Sequence, residues 1–187
     1  MLETEKVEVP LSSSYRLLHP RLVVLVSCVD QGGKANAITL AWSMPVSINP
    51  PMVVMSIASK RYSHRLIGET KEFVINIPTM DIVQETLFCG RRSGRRYSKF
   101  KETRLSTLPA KMVKPPIIKE CVVHLECKLE EQITVGDHTL FIGRVLTAYT
   151  DKEVFDEKFD VKKVKPIYHM GGEDFVTLAP EIVSPQL

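Results

Sequence analysis

The sequence predicts a mostly β protein, an antiparallel sheet rolled into a closed or nearly closed barrel with a few short helices. Three observations carry this expectation. Residues 22–29 (LVVLVSCV) and 52–58 (MVVMSIA) are rich in apolar and β-branched side chains, the composition of buried strands. Cys121, Val123, Leu125, Cys127 and Leu129 alternate with His124, Glu126 and Lys128, which predicts a half-buried strand. Turn-forming groups, Asp30-Gln31-Gly32-Gly33 and Gly136-Asp137, follow two of these β-rich regions. Many strands with short connections are the pattern of a small antiparallel barrel.

Taken in order, the turn at 30–33 leads into a second strand that begins near Lys34 and covers 35–42 (ANAITLAW). SMPVSINPP, with three prolines, is expected to interrupt the sheet before 52–58 resumes it. Residues 63–68 (SHRLIG) predict a short helix with Ser63 as N-cap and a close near Gly68. A strand over 72–77 (EFVINI) follows, then a helix over 80–87 capped by Thr79, with Asp81 where the helix dipole favours an anion. Residues 121–129 and 138–149 read as a long hairpin about Gly136-Asp137. The whole chain, 1–187, is expected to be one domain, with 179–187 a loose tail or one packed across a partner subunit.

Composition narrows the function classes. Apolar residues make up 44% and charged residues 25%, which is the range of a globular core and not of a disordered chain. No apolar run approaches the roughly 20 residues of a membrane-spanning helix. The acidic opening MLETEKVEVP is unlike a signal peptide, so a cytoplasmic location is expected. Cys28, Cys89, Cys121 and Cys127 form no CxxC pair, and on a strand Cys121 and Cys127 would lie about 20 Å apart at roughly 3.3 Å per residue. Buried free thiols are expected. The five histidines are scattered, so no metal site is expected. GxGxxG, GxxxxGK[ST], HExxH and GxSxG motifs are all missing. Residues 91–104 (RRSGRRYSKFKETR) hold seven basic residues and one acidic, against a formal net charge of only +3 for the chain. Such a segment is either a solvated loop or a landing site for phosphate.

The ordered set NAITLAWSMPVSINPPMVVMSIA, RYSH, EFVINIP, SGRRYSKF and GDHTLFIGRV resembles the flavin reductase-like, FMN-binding split-barrel family, most closely its flavoredoxin-like branch. The likeness covers about residues 15–172. It implies an FMN-binding split β-barrel of Greek-key type that works as a homodimer. The segment holding Asn36, Ala37, Ile38, Thr39, Ala41, Trp42 and Ser43 is implied to line the isoalloxazine and ribityl chain. Ser56, Ile57, Ala58, Arg61 and Ser63 are implied to hold the flavin, with Arg61 and Ser63 at its phosphate. Ser93, Gly94 and Lys99 match the family's SG…KF segment, which can approach that phosphate. His138 is implied to position a nicotinamide or other substrate, and His169, Gly171, Gly172 and Phe175 resemble the C-terminal segment near the site.

The residues read by themselves agree with this chemistry. FMN needs donors along its ring edge, an apolar wall and cations or N–H groups for its phosphate. Ser63 at a helix start would place a hydroxyl and free N–H groups beside an anion, and Arg61 could add a charge-assisted bond; the plainer alternative is a capped surface helix. Asn76 in a buried strand requires a partner, either the flavin or backbone. Trp42 is core filler or pocket rim, and its LAWSMP setting favours the rim. The implied activity is that of an oxidoreductase of NAD(P)H:flavin or ferric reductase type, passing electrons from NAD(P)H or another donor through FMN to an acceptor protein or small molecule. A non-enzymatic electron-transfer or flavin-storage protein would share the same residues. A nucleic-acid-binding barrel built on the arginine loop is disfavoured, because no strand face alternates aromatic and basic residues.

Overall fold

The computed structural model describes residues 5–185. Residues 186 and 187 of the expected tail lie outside the described residues; 179–185 are exposed and carry no helix or strand. In chain order, a 3-10 segment (Leu11–Leu18) precedes β1 (Arg21–Leu22), β2 (Val24–Val29), β3 (Ala35–Leu40), β4 (Ser43–Ser47), β5 (Met52–Ala58), α1 (Tyr62–Thr70) and β6 (Glu72–Ile77). A 3-10 turn (Met80–Ile82), α2 (Val83–Arg91), α3 (Lys99–Thr103), β7 (Thr107–Leu108) and β8 (Ile117–Ile118) lead to the long strands β9 (Val123–Val135) and β10 (His138–Thr150). Short strands β11 (Phe155–Asp156), β12 (Lys158–Phe159), β13 (Tyr168–Gly171) and β14 (Asp174–Val176) complete the chain.

The main sheet has seven strands in the order β3-β2-β6-β9-β10-β5-β4, every neighbouring pair antiparallel. Its ends meet over one core: Ile38 of β3 packs in the same cluster as Val53, Met55 and Ile57 of β5, although four strands separate them in the sheet. The sheet is therefore rolled. Phe73 and Phe141, fully buried, fill the centre, each side chain contributing roughly 1.5–3 kcal/mol by burial. Phe73 lies so close to β10 that a Cβ on Gly143 would come 2.4 Å from its ring. Leu66 and Ile67 of α1 pack into the same core. β3 and β4 do not pair, so the barrel is open along a seam between them.

Both expected hairpins form, with Val24 opposite Leu40 and His138 opposite Val135. The expected strand over 22–29 is divided: Leu22 pairs with Tyr168 in a separate three-stranded sheet, Val23 donates to the Ile167 carbonyl, and the main sheet begins at Val24. The proline-rich segment is not a break. Its first half forms β4, where an edge position tolerates the missing N–H of Pro45. Ser63 is inside the first turn of α1 and not its N-cap, which is Arg61; the helix ends at Lys71 in a left-handed conformation, with Gly68 inside it. The helix expected over 80–87 starts as a 3-10 turn and runs on as α2 to Arg91, and the Thr79 hydroxyl bonds Asp81 instead of capping backbone. The four cysteines are free and buried, as expected, and burial pushes the Cys28 and Cys89 thiols up to about 11.

The expected half-buried strand is covered on both faces through its first half. His124 and Glu126 are 5% and 0% exposed. Polar partners make this burial tolerable: Asn76 Oδ1 meets His124 Nδ1 at 2.8 Å, and the segment between β7 and β8 supplies donors to Glu126. Backbone N–H groups of Lys111 and Met112 donate to the two Glu126 oxygens at 2.8 and 2.6 Å, and the Tyr149 hydroxyl donates at 2.7 Å. Burial opposes ionisation of this carboxyl, but these donors together hold it below the ordinary carboxylate value. A depressed folded pKa gives stability that is present above the unfolded value of about 4.3 and lost as pH falls through the folded one. Glu126→Gln should therefore cost roughly 1–3 kcal/mol at pH 7 by leaving buried donors unmatched, with the gap to wild type narrowing in acid. Urea unfolding at pH 7 and pH 3.5 tests this; a gap independent of pH would contradict it.

Candidate functional site: a cleft at the barrel seam

The Ala41-Trp42 link joins the two unpaired strands and leaves a cleft with three adjoining compartments of about 240, 190 and 150 Å³. The first is cationic. Lys60 and Arg61 from the β5–α1 turn, Ser63, Arg91 and Arg92 at the end of α2, Ser93, Gly94 and Lys99 surround it. The second is aromatic and apolar, lined by 38–42, Ser56, Ile57, Ala58, His138 and His169. Ile38 and Arg61 border both, so the two are continuous. The third shares Thr39, Ala41 and His169 with the second and adds Thr86, Gly90, Arg91, Gly172 and Phe175.

The cationic compartment is built on a buried polar anchor. Asn36, 5% exposed, donates through Nδ2 to Ser63 Oγ at 2.8 Å, which fixes that hydroxyl at the start of α1. The turn at 93–94 presses on the same amide: a Cβ on Gly94 would sit 2.0 Å from Asn36 Oδ1, so only glycine fits there. Lys99 is 5% exposed and donates from Nζ to the carbonyls of Ala37 and Cys89, both at 2.6 Å. None of the ion pairs among the described residues involves it. Burial, reinforced by Arg61, pulls its ammonium down to about 8. Two of its three donors are used, and the side chain borders the compartment.

In the aromatic compartment Trp42 and His138 stack, ring centroids 4.9 Å apart and planes 29° from parallel. Tyr15 meets Trp42 edge-on at 5.8 Å, and the Arg21 guanidinium lies 5.7 Å from the Trp42 ring centroid. The Asp137 carboxylate engages His138 Nδ1 at 2.6 Å. Trp42 is thus rim and not core.

The cleft gathers Ile38, Thr39, Ala41, Trp42, Ser56, Ile57, Ala58, Arg61, Ser63, Ser93, Gly94, Lys99 and His138. Asn36 and Ala37 lie buried behind its wall, and Ser43 pairs with Met55 at the start of β4. Asn76, one of the residues proposed from the sequence to contact the cofactor, is outside the cleft, and of the two partners open to it, flavin or backbone, backbone is the one it has. Its Nδ2 donates to the Leu25 and Val74 carbonyls, and its Oδ1 accepts from the Ile118 N–H and meets His124 Nδ1 at 2.8 Å. Backbone and His124 satisfy it without any ligand.

Sequence reasoning did not find Lys60 or the α2 side of the third compartment. Thr86, fully buried, leaves its Oγ1 without a hydrogen-bond partner on that wall. Gly90, one turn on, lets α2 approach β3, since a Cβ there would meet Thr39 at 3.2 Å. Arg91 ties the C-terminal hairpin to α2 by donating to the Gly172 carbonyl at 2.6 Å and pairing with Glu173 at 3.2 Å. Thr86 and Gly90 at i, i+4 mark one helix face, but nothing local says what that face packs against.

A rolled antiparallel sheet, split at one seam over a cleft that is cationic at one end and aromatic at the other, defines the class of this protein. The chain belongs to the flavin reductase-like family, whose domain model matches residues 15–175. A protein of unestablished function from Pyrococcus abyssi is 37% identical over 169 residues, 90% of this chain and 96% of that one. Flavoredoxin from Methanosarcina acetivorans has a similar structure, with a TM-score of 0.85 and 27% identity over 97% of this chain and 95% of that one. Flavoredoxin of Desulfovibrio vulgaris (Miyazaki F) gives 0.85 and 25% over 97% and 96%. The fold is the split barrel of these proteins. Among the described residues, no helix is long and apolar enough to cross a membrane.

Lys99 yields a test of this electrostatic arrangement. With the folded pKa lowered to about 8 and the unfolded value near 10.4, the unfolded chain binds more protons between those limits, so stability rises with pH across that window. In protein without added anion, wild type should gain on the order of 2 kcal/mol relative to Lys99→Met between pH 8 and pH 10. Urea midpoints for both proteins across that range decide it; parallel curves would show that the buried amine does not titrate there.

Proposed function

We propose that this protein is a cytoplasmic FMN-binding oxidoreductase that passes electrons from NAD(P)H or another donor through FMN to an acceptor, and that it works as a homodimer. The observation that carries the reading is the polarity of the cleft, with Lys60, Arg61, Ser63 and Ser93 at one end and the Trp42–His138 stack with Ile57 and Ala58 at the other. The donor set fits FMN. A terminal phosphate with nearly two negative charges suits guanidinium and hydroxyl donors, and no described carboxylate forms an ion pair with Lys60 or Arg61. The apolar wall and aromatic rim suit a flat ring system.

Bound flavin supplies the hydride and single-electron chemistry, so no acid, base or nucleophile is required of the chain. Arg61 and Ser63 bind and orient the phosphate, while Trp42, Ile57 and Ala58 exclude water from the ring. Asp137 occupies one nitrogen of His138 and leaves the other to position a nicotinamide or other substrate. Four free cysteines suit a reducing compartment. Support for a second copy comes from an unpaired edge strand and exposed apolar groups: Met44, Val46 and Ile48 on and beside β4, and Leu11, Leu17 and Leu18 on the 3-10 segment. The Tyr15–Trp42 contact joins these two elements at the cleft mouth.

Purified protein should take up FMN in preference to FAD, behave as a dimer by light scattering at micromolar concentration, and lose its visible flavin absorbance on anaerobic addition of NADH or NADPH. Flavin binding without such bleaching would mark an electron-transfer or storage protein with another donor; failure to bind any flavin would overturn the proposal. Arg61→Ala should weaken FMN about 10-fold or more and leave riboflavin nearly unchanged, because a charge-assisted bond contributes roughly 1.5–3 kcal/mol. Fluorescence titration separates the cases: equal losses for both ligands would show that Arg61 acts through folding.

A further inference from the structure

The cationic compartment does not account for the charge of the segment that follows it. Of the seven basic residues in 91–104, Lys99 is bound to two carbonyls and Arg91 is engaged by Gly172 and Glu173. Arg92, Arg95 and Arg96 are exposed, and none of the ion pairs among the described residues involves them. They do not sit on a loose loop. The N–H groups of Arg96 and Tyr97 both donate to the Ser93 carbonyl, at 3.0 and 3.1 Å, and Gly94 is wedged between Asn36 and Tyr62. Two of the three guanidinium groups are held by aromatic faces: Arg92 lies 5.6 Å from the Tyr97 ring centroid, and Arg95 lies 5.6 Å from that of Tyr62. Stacking fixes a guanidinium by its face and leaves its N–H edge free for an oxyanion.

We propose that Arg92, Arg95 and Arg96 form a second phosphate subsite beside the flavin cleft, taking the phosphorylated adenosine end of the dinucleotide reductant and selecting NADPH over NADH. The inference rests on reading the cleft as a flavin site with a dinucleotide donor. Arg92 already borders the cationic compartment, so the subsite continues it outward. A ribose phosphomonoester carries nearly two charges and three acceptor oxygens, the group that guanidinium forks match best, whereas NADH offers only its hydroxyl there. Arg95 and Arg96 lie on the turn that the Ser93 carbonyl closes and Arg92 directly precedes it, so the three charges fall within five residues and are not strung along a strand or groove. An oligonucleotide backbone would call for basic residues spread along a groove with aromatic platforms between them.

The test uses flavin-loaded protein, titrated by calorimetry with adenosine 2′,5′-bisphosphate and with AMP, for wild type and for Arg95→Gln/Arg96→Gln. The bisphosphate is expected to bind wild type at least about tenfold tighter than AMP, and the difference should shrink to less than about threefold in the variant. FMN content, the visible spectrum and the thermal midpoint should be unchanged, since neither residue borders the flavin cleft. At subsaturating concentration NADPH should bleach wild type faster than NADH, with the two equal in the variant. Equal binding of bisphosphate and AMP to wild type would overturn the proposal, as would a preference that survives in the variant. Equal slowing of NADPH and NADH would place the arginines on the pyrophosphate, and loss of FMN in the variant would place them on the flavin; both outcomes contradict the subsite. An oligonucleotide that binds and is not displaced by the bisphosphate would likewise overturn it. Because the nucleotide titration runs equally on protein that takes up no FMN, failure of the flavin reading is seen separately.

Discussion

Two residues, Ala41-Trp42, tether the first and last strands of a seven-stranded order, and the site depends on that constraint. A link this short holds the ends of β3 and β4 together, so the sheet between them must roll around a single core. Yet the strands diverge from the link without pairing, and their free edges frame an opening. The Trp42 carbonyl accepts the Ser56 N–H, which fixes the link to β5 and sets the Trp42 ring against His138 at the start of β10. The aromatic rim is thus a product of strand connection. Had the two edges paired, the barrel would be closed over Ile38 and Ile57 and there would be no cleft between them.

Charge is distributed around this opening in a way that a self-contained core would not favour. Burying an ammonium without a carboxylate is costly, and Lys99 is tolerated because two carbonyls take its protons. Those carbonyls come from β3 and from the end of α2, so one lysine from α3 binds together three elements around the cationic compartment. The unfavourable charge is retained at the wall of the compartment that Arg61 also lines. Glu126 shows the opposite solution, a buried carboxylate whose donors all come from the chain itself. The carboxylate is met by three donors, whereas the ammonium has two acceptors and a face on the cationic compartment.

The parts of the fold legible in the sequence were those set by local chemistry. The 30–33 turn, the alternation at 121–129 and the turn at Gly136 each state their structure within a few residues. Pro45 misleads because its rule concerns central strands, and only the strand order shows that β4 is an edge. Glu126 looks solvent-facing because the segment that meets it lies elsewhere in the sequence and contributes backbone groups, which leave no compositional trace, and His124 because its partner is Asn76 on a neighbouring strand. The same divide runs through the site. Arg61, Ser63, Trp42 and His138 are recognisable from short motifs, and the resemblance also places Phe175 near the site, whereas Thr86 and Gly90 reach it only through the packing of α2 on β3. Asn76 was legible as a residue in need of partners, but periodicity could not say that backbone would supply them.

Asn36 shows how closely the barrel and the site are joined. It is a β3 residue directly opposite Cys28, and its amide reaches Ser63 Oγ on α1 while its oxygen fixes the closest approach of the turn at Gly94. The two walls of the cationic compartment, the start of α1 and the turn after α2, are therefore spaced by one buried side chain that borders neither cavity. A shorter residue would leave the Ser63 hydroxyl without its donor and open a gap under Gly94; a longer one would push the turn outward. The compartment's width is accordingly a property of strand β3, and the cationic and hydroxyl residues that line it inherit their separation from a position whose own exposure is almost nil. The rigidity that such a site needs comes from the sheet, because loops alone would not hold Arg61 and Ser93 at a fixed distance from one another.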